Sequence, residues 1–185
     1  VGTVNMDETT FSFSRKVLDR AMTIEMNEVD LYGGLTSRHE QIGKLNFEDL
    51  VGDKVEGVDV YQENQEICNQ AILYLQKINA VLEGTPFKIA YRTRNEFLLY
   101  VVNNLPYRKN SQGLEMTQNE VVARALDEIT SMKILSRIEG DEEKVKAELL
   151  ASLKEVVSKM LPENMRDSSV SLAKLDEMEK KLSSG

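Results

Sequence analysis

The chain has 185 residues, 41% of them hydrophobic and 29% charged, with a formal net charge of −8. That size can bury a substantial core as one domain or a domain and part of another, and the acidic balance argues against DNA binding through bulk charge. A single cysteine and a single histidine, His39, leave no disulfide framework and no histidine–cysteine metal cluster.

In chain order, the apolar run Val1-Gly2-Thr3-Val4 reads as a buried strand, and Asn5 to Thr10 as a polar loop. Ser14 to Ala21 (SRKVLDRA) reads as a short helix with Ser14 as its N-cap. Thr23 to Met26 alternates and reads as a second strand. Residues 27–60 hold no sustained period and contain Gly33, Gly34, Gly43, Gly52 and Gly57; they read as a connector or insertion with one short helix.

From residue 60 onward the pattern is helical. Ile67, Ala71, Leu75, Ile78 and Leu82 form one stripe, stopped by Gly84 and Pro86. Thr93 and Glu96 have the spacing of a capping box ahead of Phe97, Val101 and Leu105, and Pro106 ends that helix. Thr117 and Glu120 have the same spacing ahead of Val121, Ala125, Ile129 and Met132, followed by Ile134, Leu135 and Ile138. Val145, Leu149, Leu153, Val156 and Met160 give a fourth stripe, stopped by Pro162; Leu172, Leu175, Met178 and Leu182 give the last. Cys68 lies one residue from the first stripe and reads as a small packed residue. Phe87, Tyr91, Phe97 and Tyr100 bracket the start of a helix and read as core rather than as a base-stacking platform. No apolar run approaches the roughly 20 residues needed to cross a bilayer. The opening at Val1, with no signal-peptide pattern behind it, is what a piece of a longer, cytoplasmic protein would show.

Several segments carry a family resemblance. VGTVNMDETT resembles the strand and loop of the sensor-1 element in McrB-like AAA+ NTPases of modification-dependent (type IV) restriction systems. SRKVLDRA and TIEM look like the helix and strand that follow it and carry the arginine finger. INAVLEGTPFKIAYRTRNEFLLYV, ALDEITSMKILSRIEGD and SLAKLDEMEKKL resemble successive parts of the family's helical lid. The resemblance implies a mostly α fold: a helical lid bundle over 61–185, joined through 27–60 to a small α/β-core remnant over 1–26.

The resemblance gives Asn5 the sensor-1 role. A short amide at the end of a strand can hold an attacking water or a γ-phosphate oxygen; otherwise Asn5 caps a turn. Arg20 falls at the arginine-finger position, with Arg15 as backup; a guanidinium forks onto phosphate oxygens and keeps its charge. The alternative is a solvated Arg20 paired with Asp19 or Glu25, contributing under about 1 kcal/mol. Arg92 and Arg94, before a lid helix, match the sensor-2 region, with Arg92 preferred; they could equally be ordinary helix-start arginines. Asp7 and Glu8 neighbour the sensor loop. The Asn-x-x-Asp arrangement tied to guanine nucleotides in McrB is here Asn5-Met6-Asp7-Glu8, which leaves ATP and GTP both open.

No Gly-x-x-x-x-Gly-Lys-[Ser/Thr] motif occurs, since Gly43-Lys44 is followed by Leu45, and no apolar strand ends in paired acids. The chain alone is therefore expected to hydrolyse nothing and to need no cofactor. The intact motor would use ATP or GTP with Mg²⁺, form a ring, and drive DNA translocation or restriction with an McrC-like nuclease subunit. DNA would be met through regions absent from this chain, and no membrane is involved. The competing expectation is a non-catalytic helical interaction module that docks a partner chain. A helix-turn-helix regulator is disfavoured by the acidic charge and the lack of a basic recognition helix.

Overall fold

Helices form where apolar residues recur at three and four, and the computed structural model shows what ends each of them. It describes residues 2–4, 13–26, 43, 44, 46, 56–139 and 145–184. The elements in order are α1 (Arg15–Leu18), α2 (Gly57–Glu63), α3 (Gln65–Val81), α4 (Tyr91–Asn104) and α5 (Gln118–Thr130). A wide π-type turn, Ser131–Leu135, follows, then α6 (Ser136–Glu139), α7 (Ala147–Met160), a 3-10 turn (Glu163–Ser168) and α8 (Val170–Ser184).

The first stripe is buried throughout, Ile67 to Leu82, and α3 ends as expected, with Gly84 in the left-handed region at φ 74°. Asn79 then holds the following loop with both ends of its amide: Nδ2 donates to the Ile89 carbonyl at 3.0 Å and Oδ1 accepts from the Ile89 N–H at 2.7 Å. Cys68 is packed and its thiol is pushed up by burial. α4 packs against α2, α3 and α5; α7 packs against α3 and α8. Leu150, Leu153 and Val157 are the buried centre of α7, so its stripe is rotated slightly from the spacing read in the sequence. Leu182, expected in the last stripe, is exposed, and α8 is sealed by Leu175 and Met178.

Two helix starts carried the same signature and behave differently. Thr117 caps α5: its Oγ1 accepts from the Glu120 N–H at 3.3 Å, and Glu120 Oε2 accepts from the Thr117 N–H at 2.8 Å. Thr117→Ala is expected to lower the melting midpoint by roughly 3 °C, read by circular dichroism. Thr93 caps nothing. α4 begins earlier, at Tyr91, after extended Ala90, and Thr93 lies buried inside the helix.

The expected strands are not formed among the described residues. Gly2–Val4 and 21–26 carry no ladder. The Thr23 N–H instead donates to the Met132 carbonyl at 3.3 Å, so this stretch lies along the π-type turn rather than along another strand. The fold is mostly α, as expected.

Candidate functional site

Residues 13–26 form an arm on the helical body. The Ser14 carbonyl accepts from the Val17 and Leu18 N–H groups, which starts α1 through the backbone. The helix is shorter than expected and unwinds at Asp19–Arg20, where the Arg20 and Ala21 N–H groups both turn back to the Val17 carbonyl. Leu18 is buried and α1 packs against α6, while Val17 faces solvent.

The surface that receives the arm is cationic. Arg137 reaches Asp19 Oδ1 at 3.3 Å, and Arg92 reaches Asp19 Oδ2 at 3.5 Å. Lys174 pairs with Glu25 at 2.6 Å. Lys133, fully buried, donates to the backbone carbonyls of Asp19 at 3.1 Å and Ala21 at 2.9 Å, and lies 2.9 Å from Glu96 Oε2. The Arg92 contact is exposed and contributes under about 1 kcal/mol. Lys133, Arg137 and Lys174 differ from it: each is at most 8% exposed, so its charge needs its partners.

The π-type turn is what places Lys133. The Ser136 N–H bonds the Ser131 carbonyl five residues back. One extra residue rotates everything after it by about 100° relative to an unbroken α-helix. Ile129 and Ile134, five apart, therefore both face the core, with Lys133 beside them. The Met132 carbonyl in the same turn accepts from the Ser136 hydroxyl at 2.8 Å as well as from Thr23.

A second buried polar cluster joins α5 to α8. Asp127 accepts from Ser169 Oγ at 2.6 Å and from the Val170 and Ser171 N–H groups at 2.9 and 3.2 Å. Burial raises its carboxyl above the usual carboxylate range, and these three donors pull the other way. Nearby, burial and the bond to Glu128 Oε2 push Tyr100 up to about 12. Both clusters hold helices together, and Tyr100, Glu128 and Lys174 also line an open cavity of about 590 Å³ beside residues 23–26 of the arm.

The residues singled out in the sequence separate as follows. Asn5, Asp7, Glu8 and His39 lie outside the described residues, as does the side chain of Arg15. Arg20 is exposed, and its guanidinium has no partner among the described residues. The alternative pairing of Arg20 with Asp19 or Glu25 is not made, because the helical body's cations hold both acids. Arg92 reaches the arm beside Arg20, whereas Arg94 turns to Asn95 Oδ1, at 3.1 and 2.8 Å, and lies over the Tyr91 ring at 5.0 Å. Phe87 and Phe97 are core, but Tyr91 is 77% exposed, which corrects its placement. Sequence reasoning missed Lys133, Arg137, Lys174 and Asp127. Glu96, read as a capping residue, is Lys133's partner. Among the described residues no group of histidine, cysteine and carboxylate side chains is arranged to hold a metal ion, and no helix is long and apolar enough to cross a membrane.

No curated protein and no solved structure matches the chain. One family model does, over residues 45–184, which covers the helical body and leaves the arm outside. That match spans well over half of the sequence, and the chain belongs to the family defined by the domain of unknown function DUF8727.

Proposed function

We propose that this chain is the sensor, finger and lid portion of an McrB-like AAA+ motor that hydrolyses ATP or GTP in a ring. The observation that supports this most is the state of Arg20. An exposed arginine next to an acid ordinarily pairs with it. Here both acids of the arm are engaged by Arg92, Arg137 and Lys174, and Arg20 is left outward. A guanidinium presented in that way suits the terminal phosphate of a nucleotide bound by a neighbouring subunit, where it would stabilise the charge that develops on phosphoryl transfer.

Arg92, on the arm side of α4, is the better sensor-2 residue; Arg94 is committed to Asn95. Asn5, Asp7 and Glu8 are assigned to the nucleotide-facing loop by resemblance alone. The phosphate-binding loop and the magnesium carboxylates would come from residues outside this sequence, which contains neither motif. DNA and a nuclease subunit would likewise be met elsewhere in the assembly.

The test is phosphate release by the complete motor as its concentration is raised. Turnover per subunit is expected to climb with ring assembly, and the 185-residue chain alone is expected to release none. Turnover per subunit that is independent of assembly, or sustained hydrolysis by the chain alone, contradicts the proposal.

A further inference from the structure

Lys133 is the one fully buried ammonium among the described residues, and packing alone does not account for it. An apolar residue of similar length would fill the same space without the desolvation of a charge. Its surroundings point to another purpose. An ammonium has three protons to give: Lys133 Nζ donates to the Asp19 carbonyl at 3.1 Å and the Ala21 carbonyl at 2.9 Å, and it pairs by charge with Glu96 Oε2 at 2.9 Å, which accepts no hydrogen bond. The two carbonyls belong to the residues immediately before and after Arg20.

That arrangement grips the backbone on both sides of one residue. With the flanking carbonyls drawn inward to a single nitrogen, the intervening side chain lies on the outer side of the turn, and Arg20 is indeed exposed. Asp19 is fixed a second time through its carboxylate by Arg137 and Arg92. The opposite side of the ammonium is anchored by Glu96 on α4, and Lys133 itself sits in the π-type turn after α5. Both ends of the grip are therefore tied to packed helices.

We propose that Lys133 is a positioning residue for Arg20: it sets where the guanidinium stands and makes that position follow the helical body. The assignment rests on the finger role of Arg20 proposed above. It touches neither nucleotide nor reacting atoms. Its effect is geometric, and a displacement of about 1 Å at a catalytic group can lower a rate about 100-fold.

The experiment uses the complete motor and three variants, read by turnover, melting temperature and limited trypsin cleavage at the Arg20–Ala21 bond, with mass spectrometry identifying the cut. Lys133→Met keeps the length and removes the grip. It is expected to lower kcat about 100-fold, to leave KM for nucleotide within about threefold, and to speed cleavage after Arg20 by about tenfold as the arm opens locally. Glu96→Gln retains the two carbonyl bonds but removes the anchoring charge; its melting temperature is expected to fall, while cleavage after Arg20 is expected to stay slower than in Lys133→Met. The double variant Lys133→Met with Glu96→Leu removes the unpaired carboxylate. Its melting temperature is expected to return toward wild type while kcat stays low and cleavage stays fast.

A double variant that recovers turnover along with stability overturns the proposal, since Lys133 would then be acting only through folding. Wild-type cleavage and turnover in Lys133→Met overturn it too. Fast cleavage with unchanged turnover separates the two claims: the grip on the arm stands, but Arg20 is not the finger, and the positioning role falls with that assignment.

Discussion

If the chain belongs to the proposed motor, replacing Arg20 with alanine in the complete protein is expected to lower kcat about 1,000-fold while nucleotide affinity stays within about threefold, as removal of a trans-acting arginine does in phosphoryl-transfer enzymes. The size follows from where the charge acts. Arg20 stands exposed and its side chain engages no described residue, so the ground-state fold loses little when it is cut back. What would be lost, on the proposed finger role, is a guanidinium that meets the transferring phosphoryl group as its charge moves, which affects the transition state and not binding. Steady-state phosphate release beside fluorescent-nucleotide titration separates the two quantities. Arg94→Ala is the control. Its guanidinium is spent on Asn95 and the Tyr91 ring within its own helix turn, and a change below about threefold in kcat is expected.

Asp127→Ala is expected to destabilise the helical body by about 3 kcal/mol, enough to lower its urea midpoint measurably. Three donors converge on this carboxylate: the Ser169 hydroxyl and the Val170 and Ser171 N–H groups, the latter two at the start of α8. Removing it leaves buried donors without an acceptor and strips α8 of its N-terminal partner. A pH series adds a signed check. Burial holds the folded carboxyl above its ordinary value, so the folded state binds this proton more tightly than the unfolded chain does. The group therefore adds stability as pH falls through the raised value toward the ordinary one, and that part is lost as pH rises through it. The alanine variant lacks it. The gap between wild type and variant is expected to widen across that acidic window; a gap that closes as pH falls would show that the carboxyl is held below its ordinary range.

The helical core was legible because its signal is local. Ile67 to Leu82 repeat at three and four, and Thr117 and Glu120 sit three apart, so each pattern is complete within one or two turns. The same signature at Thr93 and Glu96 misled, since a helix that starts at Tyr91 already has Thr93 inside it and Glu96 is drawn to Lys133. The resemblance preferred Arg92 to Arg94, and the physical separation comes from helix geometry: two residues advance a helix by about 200°, which sends one toward the arm and the other back along α4. The cationic seat was out of reach altogether. Lys133 meets carbonyls more than a hundred residues away, and the Asp127 cluster spans more than forty. One trace of it was present: the apolar spacing steps by five from Ile129 to Ile134, which an α-helix does not allow and a π-type turn does. The strands expected in the arm failed for a complementary reason. An alternating run such as Thr23–Met26 does not say what will satisfy its backbone, and here a helix-turn carbonyl satisfies Thr23.

Mixing two inactive subunits tests the whole arrangement most directly. One carries Arg20→Ala; the other keeps Arg20 and has its phosphate-binding loop disabled. If Arg20, seated on its own helical body, serves the nucleotide of the next subunit, the mixture recovers turnover that neither subunit has alone. A mixture that assembles into rings and stays silent at every ratio would contradict it.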